Sequence, residues 1–295
     1  MNAPNAHSGK INSTPAAKAA RSASLAGRLT RNAARNFEQA LRALARPPRA
    51  SYAPLPPSAI AAVIGTLVVI VASMVLFDAT ASAWARHEPN WFRDLFERIT
   101  DFGLSGWFLF PLGFVLLVLA VLISSQSTRL TQGVLAALAA RFGFVFLAIG
   151  VPGLFVTIVK RLIGRARPYV GGHDDPFAYV PFIWRPEYAS MPSGHATTSV
   201  AAAIAIGAIW PRTRIAMWLY AAAIMISRVA VLAHHVSDVI AGALVAAVGA
   251  YLIRRWFAAR HLVFHPGDLR ASAGPSLPRI RSALREAIAA ASLKD

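Results

Sequence analysis

The strongest constraint on the fold of this chain is a series of long apolar runs that carry almost no charge. The clearest run, 58–77, has no charged residue, and a membrane-spanning helix needs ~20 mostly apolar residues. Hydrophobic residues make up 56% of the 295 residues and charged residues only 15%, a composition more apolar than that of soluble domains. Five more runs follow, at 107–123, 142–159, 196–210, 215–233 and 239–253. The pattern predicts an all-α integral membrane bundle of six helices over residues 58–256.

Most of the charge lies in two basic tails outside the apolar runs. Residues 1–57 hold nine Lys or Arg against one acid, and residues 254–295 hold eight against three. Beside membrane spans, such tails indicate cytoplasmic ends that face anionic lipid. Nucleic acid is a poor candidate for a partner because no binding fold or aromatic platform accompanies the charge. We therefore expect 1–57 to be a basic, partly disordered cytoplasmic tail and 257–295 to be a second basic cytoplasmic tail.

The N-terminal tail contains apolar residues at every fourth position, with arginines between them. The apolar positions are Leu25, Leu29, Ala33, Phe37 and Leu41. This spacing predicts an amphipathic helix on the membrane surface, which we favour over an organellar transit peptide of similar composition. Residues 1–20 and 47–57 are expected to be disordered or linker-like, and a short helix is expected over 279–291.

Three short polar motifs lie at the ends of the apolar runs. They are Lys160 with Arg167-Pro168, then Pro192-Ser193-Gly194-His195, and then Ser227-Arg228 with His234 and Asp238. The chain has no cysteine, which excludes thiolate nucleophiles and cysteine zinc ligands. A lysine and planar arginines suit the oxygens of a phosphate, and a helix N-terminus presents free amides to an anion. A carboxylate that holds one imidazole nitrogen leaves the other free as a nucleophile.

Each motif also has a simpler structural explanation when it is taken alone. Cations beside a span can snorkel to the membrane interface, and we assign Arg161 and Arg165 to that role because nothing else in the pattern needs them. Ser193 can act only as a helix cap, and Arg228 can pair with a distant carboxylate. These explanations account for each motif singly but not for the presence of all three.

The histidines and acids need separate interpretation. His234 and Asp238 are four residues apart, which would place them on one helical face, although Asp238 can also act only as a helix cap. His235 would point about 100° away on the same helix and is not expected to be the nucleophile. The cluster His173-Asp174-Asp175 offers atoms that a metal would accept. We favour a solvated loop or a substrate-rim role for it, because three cations can neutralise a phosphate without a metal.

The charge pattern also predicts an orientation. Six spans would place both tails on one side, and their positive charge marks that side as the cytoplasm. The segments 78–106 and 160–191, and the turn between the last two spans, would then lie outside, which is the periplasm for a bacterial inner membrane. The 78–106 segment fits, with five acids against three arginines. The 160–191 segment is basic, and a phosphate site there would explain that exception.

In this order the three motifs resemble the three-part signature of the type 2 phosphatidic acid phosphatase superfamily, which also includes vanadium haloperoxidases. The resemblance covers about residues 58–256 and implies a six-span helical fold without metal or other cofactor. It implies a phosphohistidine on His234, oriented by Asp238, and a leaving group protonated by His195. The residues implied to bind the phosphate are Lys160, Arg167, Ser193, Gly194 and Arg228. The chain departs from many members at Leu232, where they have glycine.

These observations lead to two hypotheses of different classes. The first is a membrane phosphatase whose active site lies at the periplasmic helix ends. Its substrate would be a lipid phosphate or pyrophosphate, such as phosphatidic acid, phosphatidylglycerol phosphate, undecaprenyl pyrophosphate or the lipid A 1-phosphate; a phosphotransferase is a close variant. The second is a transporter or a non-catalytic lipid-binding protein, which would also use intramembrane charge. Binding alone explains the cations, but it does not explain two histidines and an orienting aspartate.

Overall fold

The computed structural model describes residues 15–50, 54–267 and 269–292, and these form α-helices, short 3-10 turns and loops, with no β-strand among them. The helices are α1 (Pro15–Ala45), α2 (Pro57–Leu76), α3 (Asp78–His87), α4 (Asn90–Asp101), α5 (Gly106–Leu122), α6 (Arg129–Ile163), α7 (Gly194–Ile209), α8 (Arg214–Ala230), α9 (Val236–Ala259) and α10 (Leu277–Ser292). The prediction of an all-α protein is confirmed. Of the stretches expected to lack structure, 1–14 and 51–53 lie outside the described residues. The expectation is wrong for 15–20, which begin α1.

Five helical segments are long and apolar enough to cross a membrane. They are Pro57–Leu76, Asn90–Leu122, Arg129–Ile163, Pro211–Ala230 and Val236–Ala259. The remaining predicted span corresponds to α7, which is apolar but has only 16 residues. By length and composition, therefore, the described residues provide five spans and one shorter apolar helix.

The short helix α7 lies at the centre of the bundle, packed against α6, α8 and α9. Its buried side chains are mostly alanines, such as Ala201, Ala202 and Ala205. Small residues let helices approach closely, and a helix that is apolar all round is normally buried. The outer helices turn large apolar side chains outward, for example Val68 of α2 and Phe114 of α5. Such continuous apolar surface is typical of a protein that contacts lipid.

The ends of four helices meet at one end of the bundle. Helix α6 stops at Gly164, whose φ of 65° is left-handed, and a Cβ there would lie 1.8 Å from the carbonyl oxygen of Val180. Only glycine fits this helix end. The chain returns through a loop to Ser193, which caps α7, and a turn over 231–235 joins the end of α8 to the start of α9. All three polar motifs therefore lie at this end.

The two tail helices pack at the opposite end, around the α5–α6 connection. The Nδ2 atom of Asn36 in α1 donates to the carbonyl oxygens of Ala120 and Ile123, both at 2.7 Å. Glu286 in α10 accepts from the backbone amide of Thr128 and the hydroxyl of Thr131, both at 2.6 Å. Because α6 has 35 residues, about 50 Å separate this end from the polar motifs.

Candidate active site

Direct contacts link the three polar motifs. A Cβ at Gly194 would lie 3.3 Å from the Nζ atom of Lys160, so the first and second motifs adjoin. The backbone amide of Ser193 donates to the carbonyl oxygen of Asp238 at 2.9 Å. Within the third motif, the backbone amide of His234 donates to the carbonyl oxygen of Arg228 at 3.1 Å. Sequence positions up to 78 residues apart thus form one cluster at the helix ends.

His234 and Asp238 are adjacent, but not for the reason that their spacing suggested. His234 precedes α9, in the turn after α8, so the expectation of one shared helical face is wrong. The turn instead brings Nδ1 of His234 to 3.8 Å from Oδ2 of Asp238, beyond hydrogen-bond distance but within ion-pair range. Asp238 also accepts the amide of His235 at 2.9 Å, so it caps α9 as well. Because the carboxylate faces Nδ1, the Nε2 atom is the imidazole nitrogen that remains for chemistry.

The surroundings of His234 favour the neutral imidazole. Burial lowers the pKa of His234 to about 4, although Asp238 opposes this effect and the cations Arg228 and Arg167 reinforce it. A neutral imidazole keeps the lone pair that a nucleophile needs. At neutral pH His234 is therefore in the form that can attack an electrophile.

Two arginines in the cluster carry buried donors that nothing in the described part of the chain satisfies. The Nε atoms of Arg167 and Arg228 are both buried without a hydrogen-bond partner there. Arg228 is otherwise fixed, because its NH1 group donates to the hydroxyl of Thr100 in α4. Leaving a buried donor unpaired costs ~1–3 kcal/mol. The unpaired donors beside Lys160 therefore indicate a site for an anion.

His195 lies against a glycine that the sequence reasoning missed. A Cβ at Gly103 would be 2.8 Å from Cδ2 of His195 and 2.7 Å from Cγ2 of Ile224. The loop between α4 and α5 can approach the imidazole only because this residue is glycine. Nothing local in the sequence separates Gly103 from other loop glycines.

The assignment of Arg165 to a snorkelling role at the membrane interface is wrong. Its side chain is fully buried and forms ion pairs with Asp78 at 2.8 Å and with Asp238 at 2.5 Å. Two features of the sequence could have predicted that Arg165 is buried and paired with a carboxylate. Gly164 predicts that the helix has ended before Arg165, and Asp78 is the first charge after the longest uncharged run.

The second histidine, His235, points away from the cluster. Its Nδ1 lies 3.4 Å from the hydroxyl of Ser82 and its Nε2 lies 3.9 Å from Asp174. His173 and Asp175 are exposed and do not join them. Among the described residues no group of three or more His, Asp or Glu side chains converges as metal ligands would. Of the two acids Asp174 and Asp175 in this loop, therefore, only Asp174 is turned toward the protein interior.

The structure gives a reason for the difference at Leu232. This residue has a φ of 55°, in the left-handed region. A residue with a side chain adopts that conformation at a cost of ~1–2 kcal/mol, whereas glycine does so freely. The turn between α8 and α9 thus keeps a glycine-like backbone although its side chain is leucine.

Comparison with known proteins gives a consistent result. The profile described as the PAP2 superfamily matches residues 141–262, which contain all three motifs. The chain is 34% identical over 179 residues to a lipid A 1-phosphatase of Rhizobium johnstonii, covering 60% of this chain and 72% of that protein. It is 33% identical over 185 residues to a lipid A 1-phosphatase of Rhizobium etli, covering 60% and 75%. The chain belongs to the PAP2 superfamily of type 2 phosphatidic acid phosphatases.

Proposed function

We propose that this protein is a membrane phosphatase that hydrolyses a lipid phosphate through a phosphohistidine on His234. The observation that carries the proposal is the buried His234, whose Nδ1 faces Asp238, beside arginines whose buried Nε atoms are unpaired among the described residues. An anion transporter or a non-catalytic lipid-binding protein would need the cations. It would gain nothing from a buried histidine whose Nδ1 faces a carboxylate.

The proposed reaction has two steps. The Nε2 lone pair of His234 attacks phosphorus, the bond to the leaving oxygen breaks, and His195 gives that oxygen a proton. Water then attacks the phosphohistidine, His195 takes a proton back, and inorganic phosphate leaves. The positive charge that His234 carries in the intermediate is stabilised by Asp238.

Five residues are proposed to hold the phosphate. Phosphoryl transfer is catalysed mainly by positioning and by cations that stabilise the equatorial oxygens. Lys160, Arg167 and Arg228 supply the charge. Ser193 and Gly194 supply a hydroxyl and the free amides at the start of α7, where an anion is favoured.

A lipid is the proposed substrate class because the site lies at the ends of apolar helices. The named relatives are lipid A 1-phosphatases, so the lipid A 1-phosphate is the first candidate to test. The family profile matches residues 141–262, which hold the motifs.

A substrate panel tests this proposal. Full-length protein in detergent is expected to release phosphate from the lipid A 1-phosphate. Phosphatidic acid, phosphatidylglycerol phosphate and undecaprenyl pyrophosphate serve as competing substrates. Turnover is expected to survive EDTA, because the three cations already neutralise the phosphate, and vanadate is expected to inhibit. Release of no phosphate from any of these lipids by folded protein would reject the phosphatase, and loss on chelation with rescue by a divalent ion would reject the metal-independent mechanism.

We further propose six spans, with both tails in the cytoplasm and the site in the periplasm of an inner membrane. Helix α7 would be the sixth span, since its position inside the bundle lets protein rather than lipid cover its short length. At the opposite end, a cavity of about 430 Å³ is lined by Arg28, Arg31 and Arg35 of α1. Clustered arginines beside spans suit the anionic lipid of a cytoplasmic leaflet.

Reporter fusions test the orientation. Fusions at Asn90 and within 170–190 are expected to report the periplasm, and fusions at either end of the chain are expected to report the cytoplasm. The expectation follows from the charge of the tails. If the 170–190 fusion reports the cytoplasm, the site faces the other leaflet and the periplasmic assignment is wrong.

A further inference from the structure

A fully buried arginine stands between two fully buried carboxylates next to the proposed nucleophile. Arg165 donates through NH2 to Oδ2 of Asp78 at 2.8 Å and through NH1 to Oδ1 of Asp238 at 2.5 Å. A buried ion pair persists only where its geometry is good and further hydrogen bonds satisfy the remaining atoms. The further hydrogen bonds of Asp78, Arg165 and Asp238 therefore indicate the role of these ion pairs.

The guanidinium of Arg165 has a protein partner at every nitrogen. Nε and NH2 donate to the carbonyl oxygen of Pro176 at 3.0 and 2.8 Å, and NH1 also donates to the hydroxyl of Ser237 at 2.7 Å. This is unlike Arg167 and Arg228, whose Nε atoms are unpaired in the described residues. Arg165 has no donor left for a phosphate, so it is not a ligand for the substrate.

In addition to its ion pair with Arg165, Asp78 forms two hydrogen bonds with Ser237. Its Oδ1 accepts the backbone amide of Ser237 at 3.0 Å, and its Oδ2 accepts the Ser237 hydroxyl at 2.5 Å. Ser237 adjoins Asp238 in the first turn of α9. Asp78, at the start of α3, thus fixes both Arg165 and the first turn of the helix that carries Asp238.

The two carboxylate oxygens of Asp238 have different partners. Oδ1 is taken by Arg165. Oδ2 accepts the hydroxyl of Ser190 at 2.6 Å and the amide of His235 at 2.9 Å, and it is the oxygen that faces His234. The pair with Arg165 therefore sets which carboxylate edge is turned toward the imidazole.

We propose that Asp78 and Arg165 are positioning residues for the reaction, acting through Asp238 on His234. The inference rests on the proposed function. Asp78, Arg165 and Asp238 together carry one net negative charge, which balances the positive charge that His234 gains when its ring is phosphorylated. Without Asp78, the arginine would neutralise Asp238 and the charged imidazole would lose its counterion.

The test is a double-mutant cycle on the full-length protein. Asp78→Asn keeps the shape of the side chain and removes the charge. It is expected to lower kcat about tenfold, equivalent to ~1.4 kcal/mol, while KM and inhibition by inorganic phosphate stay unchanged because Lys160, Arg167 and Arg228 are untouched. In the Asp238→Asn background the same change is expected to have no further effect, since residues that act through one another are not additive. Additive losses, or a change confined to KM, would overturn the proposal.

A matched control separates positioning from general loss of stability. Arg141 is also a buried arginine, bonded to the carbonyl oxygens of Ala137, Ser272 and Ala273, far from the site. Arg141→Met is expected to lower the melting temperature with kcat per folded molecule unchanged. If Asp78→Asn does not fold, Ser237→Ala removes the hydroxyl that contacts both Asp78 and Arg165, and it should lower kcat without changing KM. A wild-type kcat in folded Ser237→Ala would count against the proposal.

A readout without turnover keeps this inference separate from the proposed function. NMR titration of ¹⁵N-histidine-labelled protein is expected to show a lower pKa for His234 in Asp78→Asn, because a nearby negative charge has been lost. If the wild type releases phosphate from no lipid, the proposed function fails while this titration still tests the network. An unchanged pKa of His234 would reject the network whatever the enzyme's activity.

Discussion

His234→Ala is expected to abolish both turnover and the covalent phosphoryl-enzyme. The other candidate histidine, His195, cannot replace it. Of the two, only His234 has a carboxylate among the described residues that faces Nδ1 and leaves Nε2 for attack. The loss should exceed 10³-fold, as for other nucleophiles whose removal disables the whole catalytic unit. The measurement is labelling with a phosphorus-labelled lipid substrate, a quench that avoids acid, and mapping of the labelled residue.

His173→Ala supplies the control for this experiment. His173 is an exposed histidine in the loop between α6 and α7, so its removal tests only whether losing a histidine matters. Its turnover and its labelling of His234 should match those of the wild type. Label recovered on His195 or His235, or full turnover in His234→Ala, would contradict the proposed mechanism.

Gly242→Ala is expected to reduce kcat/KM by ~100-fold and to lower the melting temperature. A Cβ at Gly242 would lie 2.5 Å from the carbonyl oxygen of Ser193 and 3.1 Å from Oγ1 of Thr197. A backbone oxygen cannot swing aside, so α7 and α9 must separate. A displacement of about 1 Å at a catalytic group can cost 100-fold, and overpacking costs ~1–3 kcal/mol of stability. Activity per folded molecule and thermal unfolding in detergent measure the two effects.

Gly143→Ala is the matched control for that change. It places the same methyl group in a helix of the same bundle, and no neighbouring atom of the described residues lies within 4 Å of the added Cβ. Alanine is favoured over glycine in a helix by ~0.5–1 kcal/mol, so stability should hold or rise slightly. If Gly242→Ala behaves like Gly143→Ala, the close approach of α7 to α9 is not needed for activity.

The parts of the site that could be predicted from sequence are those with local spacing. Ser193 follows a proline and precedes an apolar run, so its place as the cap of α7 can be read directly. His234 and Asp238 are also close in sequence, although a turn and not a shared helical face brings them together. The roles proposed for these residues remain predictions from the family signature.

The parts that could not be predicted depend on contacts between distant segments. Asp78 and Arg165 are 87 positions apart, and no periodicity relates them. The same limit applies to Arg141, which immediately precedes the predicted third span at 142–159. The structure continues α6 through Arg141, because its guanidinium is satisfied by carbonyl oxygens of its own helix and of the C-terminal segment. A charge therefore does not end a helix when protein groups can pair with it.

The ion pairs of Arg165 also bear on how the protein is made. Asp78 follows α2, the first long apolar helix, and Asp238 lies in the first turn of α9, the last one. Arg165 therefore has both ion-pair partners only when α9 is present. A polypeptide interrupted before α9 would keep the ion pair between Arg165 and Asp78. It would lack Ser237 and Asp238, which are the oxygen partners of the NH1 group of Arg165. The hydrogen bonds of Arg165 are therefore complete only when the first and the last of the long apolar helices are both in place.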